Sequence, residues 1–201
     1  MGSSCPLFLP RANKSIREDT VLQFIIQGRG GQGAQMAGNV LAEIFFQEGR
    51  HVLAYATYGG ARRGTPVTSS LRVDDKPIRM RCDIEKPDAI VCFDPSLLAG
   101  GTLLRTATEK TLVLINSSRP ASEFAHLGSF KIVAVDATDI ARNNQLGRIV
   151  NTTLVGTLLG LMNYSDVDLL QKVVGETSPV KASNNVAACM DGYRIGNKGG
   201  C

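Results

Sequence analysis

Directly behind the apolar run VLQFII (Val21–Ile26) stands GRGGQG, residues 28 to 33. A strand that ends in G-x-G-x-x-G and opens onto a helix is an arrangement suited to phosphate. Gly28, Gly30 and Gly33 permit a tight turn, close backbone approach and close helix packing. The helix behind them offers unpaired backbone N–H groups and the positive end of its dipole, which together favour an anion. Arg29 adds a charge and Gln32 an amide donor, on either side of Gly30 and Gly31. A second loop, YGGARRGTP (Tyr58–Pro66), sets Gly59, Gly60 and Gly64 around Arg62 and Arg63. Guanidinium donors match phosphate and carboxylate oxygens. Alone, the first loop also admits a reading in which its glycines only let strand and helix pack closely, and the second alone reads better as a solvated basic turn. Together on one rim of a sheet, they would make a shared anion site or a partner surface.

Several chemistries are disfavoured. No Lys-Ser or Lys-Thr follows the glycines, so this is not a loop for ATP hydrolysis. An NAD site wants an acidic residue at the end of the second strand, where this chain has Ala54, Tyr55, Ala56, Thr57 and Tyr58. Arg62 and Arg63 could accept a 2′-phosphate, which leaves a stand-alone NADP-binding reductase as a rival reading. There is no G-x-S-x-G and no H-E-x-x-H. His51 and His126 have no partner motif and read as surface or capping residues. Asp94 and Asp136 end strands, where they serve equally as functional carboxylates or as helix caps. No catalytic residue is assigned. The five cysteines are widely spaced, without C-x-x-C, so no metal or cluster site is expected. Cys82 and Cys92 read as small buried hydrophobes.

These loops need a scaffold. Val21–Ile26 is continuously apolar, as in a strand covered on both faces. AQMAGNVLAEIFFQEG has helical spacing, with Met36, Val40, Ile44 and Phe45 on one side and Gly49 as its stop. HVLAYATYG reads as a second strand, so the spacing predicts a β–loop–α–β unit over residues 21–58, with parallel strands and a right-handed crossover. The alternation in PVTSSLRVDDKPIRMR predicts a hairpin turning at Asp74-Asp75. DAIVCFD, KTLVLINSS and FKIVAVDAT repeat a pattern of apolar strand ending in polar residues, and PSLL opens a helix after the first of them. Three helical segments follow, with Ser165 expected as an N-cap and Gly175 near a helix end. The fold class is α/β, three-layered, with a mostly parallel wound sheet, a β-hairpin insertion and a helical C-terminal part. Ligands in such sheets sit beyond the carboxyl ends of the strands, here the loops after Ile26, Tyr58, Phe93, Ile115 and Val135.

The 201 residues suffice for one domain with a large core. We divide them into an N-terminal extension (1–20), a single α/β domain (21–196) and a tail (197–201). The net charge of +4 is mild and scattered, so neither nucleic acid nor membrane is expected as a partner. No apolar stretch reaches the roughly 18 residues of a transmembrane helix. The first residues lack the order of a signal peptide, and a cytoplasmic location is expected.

Taken together, GRGGQGAQMAGNVLAE, YGGARRGTPV, PIRMR, PDAIVCFDPSLL, and VDATDIA followed by NTTLVGTLLG resemble the gamma subunit, or gamma domain, of 2-oxoacid:ferredoxin oxidoreductases. Enzymes for pyruvate, 2-oxoisovalerate, 2-oxoglutarate and indolepyruvate belong to that family. The resemblance covers residues 21–162. It implies a subunit rather than a free-standing enzyme, with alpha, beta and, where present, delta subunits as partners and ferredoxin served through the complex. Thiamine diphosphate, magnesium and iron–sulfur clusters are implied in those partners. This chain is implied to help assembly and the handling of coenzyme A in the oxidative decarboxylation of a 2-oxoacid to an acyl-CoA. Gly28, Arg29, Gly30, Gly31, Gln32 and Gly33 match the family's glycine loop, and Tyr58, Gly59, Arg63 and Gly64 its second loop. Thr65 stands where many relatives have a further glycine. Asp94 and Asn151 match family positions as well. A purely structural scaffold, whose arginines hold a neighbouring subunit, is the second rival. The isolated chain is expected to lack cluster absorbance and 2-oxoacid oxidation, and to self-associate through apolar patches.

Overall fold

The computed structural model describes residues 21–60 and 64–199. The N-terminal extension, Arg62, Arg63, Cys5 and Cys201 lie outside the described residues. Six strands form one mixed sheet: β1 (Leu22–Arg29), β2 (His51–Tyr58), β3 (Pro66–Asp74), β4 (Ala89–Cys92), β5 (Leu112–Asn116) and β6 (Lys131–Val135), in the order β2-β3-β1-β4-β5-β6. β1, β4, β5 and β6 are mutually parallel, and β3 runs antiparallel to both β1 and β2. All strands but β3 therefore point the same way, and the mostly parallel α/β architecture stands.

The alternating pleat divides the core. Phe24 and Ile26 of β1, Val91 of β4 and Leu114 of β5 face the helices α1 (Ala34–Gln47), α3 (Asn151–Leu161), α4 (Val167–Thr177) and α5 (Ala182–Asn197). Ile25, Ile90, Val113 and Ile115 face the other way, against Leu98, Leu103 and Phe124 of three 3₁₀ turns (Pro95–Gly100, Leu103–Thr106 and Ala121–Leu127). Each such side chain, fully buried, contributes about 1.5–3 kcal/mol, so the central strands read as continuous apolar runs. A short helix, α2 (Ala137–Asn143), follows β6.

The centre of the helical layer is α3, buried on every side from Thr152 to Leu161. Its partner α5 comes close because both helices put glycines at the crossing. A Cβ on Gly156 or Gly160 would collide with backbone of Cys189 or Tyr193, and one on Gly192 or Gly196 with backbone of Thr153 or Thr157. This double pair of glycines four residues apart lets the two backbones meet almost directly.

Five expectations need correction. β1 and β2 are not neighbours, because β3 lies between them. The hairpin pairs β2 with β3, Tyr58 lying opposite Val67 at its closed end, and Asp74 lies at the open end opposite His51 rather than at the turn. Residues 75–88 leave the sheet: Pro77 lacks the N–H a strand would donate, and the Arg72 guanidinium holds this segment through the Asp83 carbonyl at 3.1 Å. Cys82 on that segment is exposed, whereas Cys92 is buried. The cap of α4 is Asp166, which accepts the Leu169 N–H at 2.9 Å, not Ser165. Met36 is 38 % exposed, so the buried stripe of α1 runs through Ala37, Val40, Ile44 and Phe45 instead.

Candidate functional site

β1 ends at Arg29, and the chain must reverse within four residues to enter α1 beneath the strand tips. Gly31 and Gly33 do this at φ 95° and 88°, a region costly to any residue with a Cβ. The Gln32 side chain turns back to accept the Arg29 N–H at 2.7 Å, and its Nε2 lies 3.5 Å from Asp94 Oδ2. Gln32 thus braces the loop from inside through its Oε1 while also lining the cleft beyond it.

The hairpin loop lands on the same rim. Gly30 donates its N–H to the Thr65 carbonyl at 2.9 Å, and Arg29 Nη1 donates to the Gly64 carbonyl at 3.0 Å. Gly64 sits at φ 86°, and Gly59 donates to the Pro66 carbonyl at 2.8 Å to close the hairpin. Tyr58, at the tip of β2, donates its hydroxyl to Gln35 Oε1 at 2.6 Å, over the first turn of α1. The two glycine-bearing turns are therefore adjacent and cross-bonded.

Arg29 ties a third element to them. Its Nε donates to Asp94 Oδ2 at 2.9 Å and its Nη2 to the Ser96 hydroxyl at 2.7 Å. Asp94 also accepts the Ser96 hydroxyl at 2.6 Å and its N–H at 3.0 Å, capping the turn after β4. Partial burial pushes the Asp94 carboxyl up, but the bonds from Ser96 and the Arg29 guanidinium outweigh it and hold the group below the ordinary carboxylate value. The charge of Arg29 is matched locally, so it organises the rim. Asp136 accepts the Asp139 N–H at 2.9 Å and caps α2.

Beyond these strand tips lies an open cleft of about 1410 Å³. Arg29, Gly30, Gly31, Gln32 and Gly33 line one side, and Tyr58, Gly60 and Thr65 another. Phe93, Asn116 and Thr138 come from the loops after β4, β5 and β6, so every strand end singled out in the sequence reaches this cleft. Asn116 braces that wall: it donates to the Phe93 carbonyl and accepts the Ala137 N–H, both at 3.1 Å. Gly28 lies beneath the floor, where a Cβ would press on Ala34 and Phe93 at 3.1 Å. Gly59 is in the hairpin but does not line the cleft.

Into this cleft opens α1, with no side-chain cap and no acidic residue in its first turn. The amides of its first turn have no intrahelical acceptor, and they carry the positive end of a 14-residue helix. Arg148, exposed between α2 and α3, lines the same cleft, and it forms no ion pair among the described residues. Sequence reading missed Arg148, since a lone arginine between two helices carries no local signal. Asn116 and Thr138 were covered only as positions following strand ends. Asn151 lies under the loop, its Cβ and amide 3.3–3.4 Å from where a Gly33 side chain would begin.

Metal and thiol chemistry find little purchase here. Among the described residues no three His, Cys, Asp or Glu side chains converge on a possible ion. Burial pushes the Cys92 and Cys189 thiols up to about 12. The NADP reading weakens for a geometric reason as well. With β3 between β1 and β2, the tip of β2 stands two strand spacings, about 10 Å, from that of β1, so the ribose-reading position of a dinucleotide fold is displaced.

Comparison with known proteins decides the lineage. The family pattern described as pyruvate ferredoxin/flavodoxin oxidoreductase matches residues 23–195. The chain belongs to this family. It is 33 % identical over 177 residues to the common gamma subunit of the pyruvate/ketoisovalerate oxidoreductases of Pyrococcus furiosus, covering 86 % of this chain and 96 % of that one. With pyruvate synthase subunit PorC of Methanothermobacter marburgensis it shares 36 % identity over 168 residues, 83 % of this chain and 92 % of the relative. The crystal structure of pyruvate oxidoreductase subunit PORC from Thermotoga maritima superposes with a TM-score of 0.76 at 28 % identity, covering 88 % and 97 % of the two chains. As a member of the pyruvate ferredoxin/flavodoxin oxidoreductase family, this chain holds its glycine loop, hairpin and cleft within the matched residues. No helix among the described residues is long and apolar enough to cross a membrane.

Proposed function

We propose that this chain is the gamma subunit of a 2-oxoacid:ferredoxin oxidoreductase complex, and that its cleft receives the phosphate end of coenzyme A. The observation that carries the reading is the uncapped start of α1, which opens into the cleft between two cross-bonded glycine turns. A pyrophosphate needs several N–H donors held rigidly and a neighbouring cation. The first-turn amides of α1, the Gly31 backbone and Arg148 would supply them, and Phe93 and Met36 offer apolar surface beside them. Coenzyme A would bring the acyl-accepting thiol. This chain's share is to bind and orient the nucleotide end, while Arg29, Gln32, Asp94 and Asn116 keep the rim rigid. The decarboxylation would use thiamine diphosphate and magnesium held by the alpha and beta subunits. Electrons would leave for ferredoxin through iron–sulfur clusters in the partners.

The test is made on the purified complex. Arg148→Ala is expected to raise KM for coenzyme A about ten-fold, the usual scale for losing one charge-assisted contact, with subunit composition intact. Weakened assembly with unchanged KM would favour the scaffold role instead. Saturable binding of NADPH to the chain, followed by fluorescence, would revive the free-reductase reading.

A further inference from the structure

On the opposite side of β3 from α1's packing lies a cation that the account of the cleft does not use. Arg72 is 1 % exposed. Its Nε donates to Gln23 Oε1 at 3.1 Å, and its Nη2 donates to the Asp83 carbonyl at 3.1 Å and to Cys82 Sγ at 3.8 Å. Its Nη1 is buried with no acceptor among the described residues. All its partners among the described residues are neutral, so a positive charge is held inside the protein with no carboxylate from those residues bonded to it. A buried charge is normally paired. Of the residues that Arg72 contacts, Cys82 is an exposed one, its sulfur 3.8 Å from Nη2. Arg79 and Arg81, both exposed, precede it, and Asp83 follows.

We propose that Cys82 is a covalent modification site selective for anionic disulfides, with Arg72 as the group that selects them. The thiolate sulfur of Cys82 attacks one sulfur of the incoming disulfide. A new S–S bond forms, the old one breaks, and the released thiolate carries away the electron pair. The disulfide is the oxidant, and an added thiol reverses the step. The guanidinium in contact with Cys82 and the two arginines that precede it draw a negatively charged reagent to this sulfur, as electropositive and accessible surroundings do for other reactive thiols. Cys92 and Cys189, both buried, stay out of the reaction.

The test compares two probes on the full-length chain: dithiobis(nitrobenzoate), a dianionic disulfide, and dithiodipyridine, a neutral one. Rates are read peptide by peptide with mass spectrometry. Both probes are attacked by the same thiolate, so the ratio of their rates reports charge selection alone. In the folded chain the ratio at Cys82 is expected about ten-fold above its value in the denatured chain, the scale of one nearby partly screened charge. Arg72→Gln should bring it most of the way down, with protected Cys92 and Cys189 certifying that the variant is folded. If that variant unfolds, Arg79→Gln with Arg81→Gln, which touches only exposed residues, should still lower the ratio. A wild-type ratio equal to the denatured value overturns the proposal, as does a ratio unmoved in folded Arg72→Gln.

Discussion

Arg29 on the last residue of β1 and Asp94 just past β4 meet at 2.9 Å, and through this pair the glycine turn, the hairpin and the neighbouring strand end become one rim. The pair is only partly exposed, with 23 % of the Asp94 side chain accessible. Loss of Asp94 removes both the ion pair and the cap on the following turn. Asp94→Ala is expected to cost about 1–3 kcal/mol in a denaturant titration. The pH dependence has a defined sign. The folded carboxyl titrates below its unfolded value, so its contribution is complete above the ordinary 3.8 and disappears as acid carries the pH down through the folded value. Wild type should lose stability in acid more steeply than Asp94→Ala; parallel acid profiles would contradict this.

The turn itself depends on Gly33. Alanine there would sit at φ 88° with its Cβ against Asn151 at 3.3 Å. Gly33→Ala is expected to destabilise the chain by about 1–2 kcal/mol, seen as a lower denaturant midpoint with an unchanged slope. An unchanged midpoint would mean that the loop is free to take another shape.

The strand and helix runs were legible because their periodicity is strong. Val21–Ile26, DAIVCFD, KTLVLINSS and FKIVAVDAT alternate buried faces within continuous apolar runs, and each strand lies where its run lies. The hairpin was misplaced for a physical reason. Asp74-Asp75 is a stronger turn signal than GGARRGTP, whose glycines also suit an anion loop, and strand order depends on pairing that no local pattern contains. Arg72 escaped notice because a charge in an alternating strand reads as outward-facing; only the structure shows it sealed at 1 % exposure. The rim was legible as two separate motifs, but the bonds that join them, Gly30 to Thr65 and Arg29 to Gly64, cross 35 residues of sequence.

The α3–α5 contact gives a prediction remote from the cleft. A methyl on Gly156 would overlap the Cys189 carbonyl, where nothing flexible can yield. Gly156→Ala is expected to cost about 1–3 kcal/mol by overpacking. Because α3 carries Asn151 to the underside of the glycine loop, that variant should also weaken coenzyme A binding in the complex. A stable variant with native affinity would contradict the reading of α3 as a rigid support.

Hydrogen exchange on the purified complex, with and without coenzyme A, followed at the amides of Gly31–Met36, shows whether the start of α1 receives the phosphate end of coenzyme A. Slowed exchange is expected there when coenzyme A is added, because the first-turn N–H groups of α1 then take phosphate oxygens in place of water. Exchange unchanged across that segment at saturating coenzyme A would contradict it.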